Sequence, residues 1–193
     1  MTDAMQGFGR LLVQTVKDPA AVAGRITGAG LSRDVLWSAL ALVTILSVLL
    51  VALIGLALPA DPMNAPSGTP ITPLTYAVIL GGSLVITIFA LHWTGQMLGG
   101  KGTFEDTLAL VVWLQVLLLV LQVVQAVLLV LLPLLGSIAA LASVAIALWV
   151  LVNFINVAQR FDSLGRAALT LVAALLGVGV GLSVLLGLVG ASV

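Results

Sequence analysis

Cysteine is absent from the 193 residues, and histidine occurs once, at His92. The first absence excludes disulfides, thiolate nucleophiles and thiolate metal sites; the second excludes a polyhistidine metal centre. Charge is scarce too. Asp, Glu, Lys and Arg make up 7% of the chain against 62% hydrophobic residues, and the mean hydropathy is +1.31. Soluble domains carry about 25% charged residues, so too little polar surface exists here to cover a water-exposed fold. Proline is confined by position, with five of the seven lying between Pro59 and Pro73.

What is present in abundance is uninterrupted apolar sequence. From Thr107 to Gln159 no charged residue occurs. As one helix at about 1.5 Å per residue, this run would be roughly 80 Å long, against a hydrocarbon core of about 30 Å. It therefore crosses a bilayer twice, turning at Leu132-Pro133-Leu134-Leu135-Gly136-Ser137. Similar runs elsewhere bring the expected spans to five, at about 35–58, 74–97, 107–132, 137–157 and 167–189. The expected fold is an all-α integral membrane protein: a five-transmembrane-helix bundle over residues 35–193, preceded by a segment, 1–34, with one or two amphipathic interfacial helices.

In that first segment Phe8, Leu11, Leu12 and Val16 recur at helical spacing, with Gln14 and Lys17 off that face. Asp18-Pro19 reads as a cap followed by proline at the first helical position. A second short helix is expected through Val22 and Ile26 to the stop at Gly28-Ala29-Gly30. Neither is long enough to be stable alone in water, which points them to the membrane surface. A cleaved signal peptide is not expected, because the apolar run is too long and Leu58-Pro59-Ala60 is a poor cleavage site. The proline-dense connection after the first span cannot continue a helix. Thr103-x-x-Asp106 has the form of a capping box opening the third span.

Orientation follows from the basic residues. With five spans, Arg10, Lys17, Arg25, Arg33, Lys101, Arg160 and Arg166 all fall on one side, and the connections on the other side contain none. The positive-inside rule then makes the N-terminus cytoplasmic and the C-terminus outside. The Ala, Leu, Val and Gly bias and the excess of Arg over Lys fit a GC-rich bacterial genome, hence a multi-pass protein of the bacterial inner membrane.

Few motifs carry chemistry. Gly95 through Gly100-Lys101 matches GxxxxGK, but Gly102 stands where a phosphate-binding loop needs Ser or Thr, and a span rather than a strand precedes it. A glycine-rich turn between helices is the better account, and no nucleotide or nucleic acid partner is expected. Glu105 and Asp106 suit a helix N-terminus, where free N–H groups and the dipole favour carboxylates. Gly181-Leu182-Ser183 resembles part of an intramembrane serine protease motif, but His92 and Ser183 lie near opposite ends of their spans, beyond hydrogen-bond reach. No catalytic residue, metal site or cofactor is expected.

The polar residues within the spans are more informative. His92, Gln96, Gln115, Asn153 and Asn156 all fall, by depth, in the cytoplasmic half. Buried amides are costly unless paired, so these side chains are expected to face one another or a cavity. That cluster is either hydrogen-bonded packing between helices or the wall of a cytoplasm-facing polar pocket. In the fifth span Ala173, Gly177 and Gly181 form one small-residue stripe and Gly179, Ser183 and Gly187 another, as in a helix wedged between neighbours of one bundle or of an oligomer. Trp37, Trp93 and Trp113 are placed for interfacial anchoring, and Trp149, deeper, for packing.

From about Lys17 to Leu186 the chain resembles the Yip family, multispan proteins named for interaction with Rab-type GTPases. The resemblance is carried by Asp18-Pro19 ahead of the first span, the Gly-Gly-Lys-Gly-Thr-Phe loop (99–104) feeding an apolar hairpin, and Asp162-Ser163-Leu164-Gly165-Arg166-Ala167 leading into a glycine-rich last span. The aspartate-, tyrosine- and proline-containing signature of the trafficking members is missing between the first two spans, so Rab binding is not carried over. The resemblance implies a non-enzymatic membrane protein that organises lipids or partner proteins. The expected function is a scaffold or assembly component contacting membrane lipids, other membrane proteins or further copies of itself, with a small transporter or channel subunit using the polar cluster as the alternative.

Overall fold

A computed structural model describes residues 2–57 and 72–190. Seven helices follow in order: α1 Thr2–Lys17, α2 Pro19–Gly28, α3 Arg33–Ala57, α4 Pro73–Met97, α5 Phe104–Leu131, α6 Pro133–Gln159 and α7 Leu164–Gly190. The last five have 25 to 28 residues each. At about 1.5 Å per residue each is long enough to cross a bilayer, and each carries an apolar window fit to do so. The chain is an all-helical, multipass membrane protein. The proline-dense connection lies outside the described residues up to Thr72, whose Oγ1 accepts from Thr75 N at 3.2 Å and caps α4 ahead of Pro73.

Local chemistry sets the helix ends. Asp18 Oδ1 accepts from Ala21 N at 3.1 Å, with Pro19 opening α2. The capping box at Thr103 and Asp106 is complete in both directions. The α5–α6 reversal is tighter than a six-residue turn: Leu132 alone separates the helices, and Pro133, which needs no N–H partner, begins α6. Gly136 permits this, since a Cβ there would lie 2.6 Å from Leu129 Cα and 2.8 Å from Leu129 N.

Because seven basic side chains mark one end of the bundle, that end is called here the basic end. The core is concentrated in that half. On α5 the buried residues run from Thr107 to Leu117, and on α6, apart from Gly136, from Val150 to Gln159. One face of α5 packs with α3 and α4 through Leu40, Ile88, Leu108 and Val112, in a cluster that continues to Leu171 of α7, which lies on α4 and α6. Another packs with α6 and α2 through Leu110, Leu114, Val150, Phe154 and Ala23.

The N-terminal helices are part of this packing. Val22 and Ala23 are fully buried, and α2 lies against α5 and α6. Trp113, expected as an interfacial anchor, donates through Nε1 to Thr15 Oγ1 at 3.0 Å and meets Phe8 edge-on at 6.0 Å. The apolar face of α2 is thus covered by protein. Trp149, expected to pack inside, is 50% exposed and faces the lipid side.

Gly136→Ala should weaken the bundle by about 1–3 kcal/mol, because the hairpin backbones must separate to admit the methyl group. Gly82→Ala in α4, with nothing within 4 Å of its added Cβ, should be neutral or stabilising by up to about 1 kcal/mol through helix propensity. Thermal unfolding of both variants in the same mild detergent checks the contrast.

Candidate functional site

The basic end is closed by one interlocking joint. Gln159, the last residue of α6, is 1% exposed although it adjoins a charged turn. Its carbonyl accepts from Lys101 N at 2.9 Å, and its Nε2 donates to Thr107 Oγ1 at 3.4 Å. Three glycines make the space it occupies. A Cβ on Gly95 would fall 2.5 Å from Gln159 Cδ, one on Gly100 would press on the Gln159 amide oxygen, and one on Gly102 would run into the carbonyl of Ala158. Gly99, at φ 87, supplies the left-handed residue that ends α4. The loop is then braced by Gly100 N donating to Gly95 O at 2.8 Å and Gln96 Nε2 donating to Gly102 O at 2.8 Å. The spacing that resembles a phosphate-binding loop leaves room for the Gln159 side chain.

Two ion pairs flank this joint. Arg160 adopts the left-handed conformation that terminates α6, and its guanidinium lies 3.5 Å from Asp106 Oδ2. Arg33 of α3 pairs with Glu105 and sits 5.8 Å from the centre of the Phe104 ring. Phe104 also meets Phe89 at 5.0 Å, His92 at 5.7 Å and Trp37 at 6.2 Å. Exposed ion pairs are worth under about 1 kcal/mol each, so these pairs orient the helix ends more than they hold them.

The five polar residues grouped by depth take separate places. Gln96 is in the glycine loop. His92 stands edge-on to Phe104, with its Nδ1 buried and without a partner. Asn156 Oδ1 accepts from Ser163 N at 2.9 Å, and its carbonyl accepts from Phe161 N at 3.1 Å, which fastens the α6–α7 turn. Asn153 Nδ2 donates to Trp149 O at 2.8 Å within its own helix. Gln115 turns toward the opposite half, where Gln122, Gln125, Tyr76, Ser47 and Ser143 join it around a cleft of about 420 Å³. The joint thus takes Gln96, His92 stands against Phe104, and the cleft takes Gln115.

On α7 the buried stripe is Ala167, Thr170, Leu171 and Ala174, with Ala173 half-buried beside it. Gly177, Gly179 and Gly181 are exposed, and a Cβ on any of them would meet nothing within 4 Å. Ser183 is exposed and donates to Gly179 O at 2.9 Å; the surroundings of Gly187 lie outside the described residues. Gly177 and Gly181 line, with Val85, Phe89 and Trp93, an apolar groove of about 570 Å³ between α4 and α7.

Sequence reasoning gave Gln159 no role beyond ending the charge-free run. Its signal was present as the three glycines that leave it room.

The joint makes a discriminating prediction. Gly95→Ala, Gly100→Ala and Gly102→Ala should each lower the melting temperature in detergent. Adding Gln159→Ala should recover part of the loss for Gly95→Ala, whose methyl meets that side chain, and none for Gly102→Ala, whose methyl meets the Ala158 backbone. A thermal-shift series over the singles and doubles reads this directly.

Comparison with curated proteins and with solved structures gave no match. The family model described as the Yip1 domain matches residues 13–186, which takes in α2 to α6, the greater part of α7 and the end of α1. The chain with the Gln159 joint and the five spans therefore belongs to the Yip family.

Proposed function

We propose that this protein is a non-enzymatic scaffold or assembly component of a bacterial inner membrane, acting through contacts of its spans with lipids and with other membrane proteins or further copies of itself. The observation that carries this reading is the pair of small-residue stripes on α7. Ala173, Gly177 and Gly181 on one side and Gly179, Ser183 and Gly187 on the other are the composition that lets helices approach closely. Yet Gly177, Gly179, Gly181 and Ser183 are left open by the chain's own bundle. A bundle packed tightly at its basic end and open along α7 suits a protein whose last span meets something else.

The all-basic end supports a cytoplasmic N-terminus and an outside C-terminus. The alternative, a small transporter or channel subunit using His92, Gln96, Gln115, Asn153 and Asn156, has less support. The amides of Gln96, Asn153 and Asn156 are already engaged with backbone groups close by.

Two measurements test this reading. Because the chain has no cysteine, Ser163→Cys and Thr72→Cys each introduce one reporter thiol; a membrane-impermeant maleimide added outside intact cells should label the second and spare the first. In mild detergent the wild type should co-purify in a complex that Gly177→Leu with Gly181→Leu disperses while the melting temperature is unchanged. An isolated monomer for both proteins, with robust solute flux in proteoliposomes lost in His92→Leu and Asn153→Leu, would favour transport instead.

A further inference from the structure

The cleft on the far side of the bundle from the glycine joint has the makings of a ligand site. Gln115, Gln122 and Gln125 project into it from α5, Ser47 from α3, Tyr76 from α4 and Ser143 from α6. Gln115 and Gln125 are ten residues apart, a rise of about 15 Å, so the polar strip extends over roughly half the thickness of a hydrocarbon core. Along α5 and its cap the side-chain hydrogen bonds among the described residues belong to Thr103, Glu105, Asp106, Thr107 and Trp113. The three amides make none with the described residues. Each carries two N–H donors and an acceptor, and leaving these unmet within hydrocarbon costs several kcal/mol per group. Three such residues on one face of one span, all turned into one cleft, are better explained by something that bonds them than by packing.

The lining defines the chemistry of that occupant. It contains no Asp, Glu, Lys, Arg or His, so it offers no counter-ion to a phosphate, a carboxylate or an ammonium group. It offers amides and hydroxyls, which pair with neutral hydroxyl and ester carbonyl groups. The rest of the wall is aliphatic, and Val144 and Leu148 on its rim are 60% and 50% exposed, so the cleft opens sideways to where acyl chains lie. Its volume of about 420 Å³ is within the roughly 300–1,000 Å³ of small-molecule sites.

We propose that this amide-lined cleft binds the uncharged glycerol-ester head of a neutral lipid such as a diacylglycerol, its acyl chains leaving across the α6 rim into the bilayer. The site is separate from the α4–α7 groove, and it stands or falls independently of the assembly reading above. Gln115, Gln122 and Gln125 hold the hydroxyl and ester oxygens; Ser47, buried at 8% exposure, marks the closed end.

The full chain in nanodiscs, exposed to a photoactivatable diacylglycerol, should give adducts on the cleft-lining stretches of α5 and α6. Unlabelled diacylglycerol should compete, and phosphatidylglycerol should not. Gln115→Leu with Gln122→Leu should reduce the labelling about tenfold, as expected for losing two hydrogen bonds in an apolar setting. Ser143→Leu, which fills the cleft and leaves the amides in place, should do the same and guards against a fold defect in the double variant. Gly177→Leu should leave labelling intact, which separates this site from the assembly surface. Labelling that persists in both cleft variants, or equal competition by phosphatidylglycerol, would overturn the proposal.

Discussion

The structure depends on two backbones coming closer than side chains allow. At the basic end the α4–α5 loop lies against the last turn of α6, where Gly102 clears the Ala158 backbone and Gly95 and Gly100 clear the Gln159 side chain. Gln159 is the side chain caught in that contact, with its carbonyl held by Lys101 N and its amide by Thr107. The joint fixes where α4 stops, where α5 starts and where α6 ends. The capping box at Thr103 and Asp106 and the arginines at 33 and 160 then orient what the joint has already located.

This constraint explains why the two halves of the bundle differ. Packing radiates from the joint through Leu91, Leu108, Phe154 and Ala158, so the half nearest it is dense. Farther away lies an amide-lined cleft between α5 and α6 on one hand and α3 and α4 on the other, and an apolar groove runs between α4 and α7 from Thr94, next to the joint. Polar residues occur in both halves with different consequences. Near the joint they are consumed by backbone groups, as with Gln96, Asn153 and Asn156. In the cleft the amides of α5 remain available.

The architecture was legible in the sequence because its causes are local or one-dimensional. The length of the charge-free run dictates the hairpin, proline and aspartate side by side dictate the start of α2, and Thr103 with Asp106 dictates the start of α5. Grouping His92, Gln96, Gln115, Asn153 and Asn156 rested on depth alone. Depth is a single coordinate; the rotation of each helix and the identity of its neighbour decide which side chains meet. Gln115 is one face of α5 away from the joint for that reason. Gln159 was overlooked for a related one: a glutamine beside an arginine at a helix end reads as solvated, and only the glycines of a different loop show otherwise. The small stripes of α7 were legible as composition, but composition does not say whether the covering helix belongs to the same chain.

The burial of α2 has a consequence for how the molecule is put together. Val22 and Ala23 are enclosed by residues such as Leu110 and Phe154, which leave the ribosome long after them. Helix α2 must therefore wait at the membrane face while the later spans that cover it are inserted. It reaches its place only when the α5–α6 hairpin is seated, so that docking of α2 follows insertion of the four spans that come after it in the sequence.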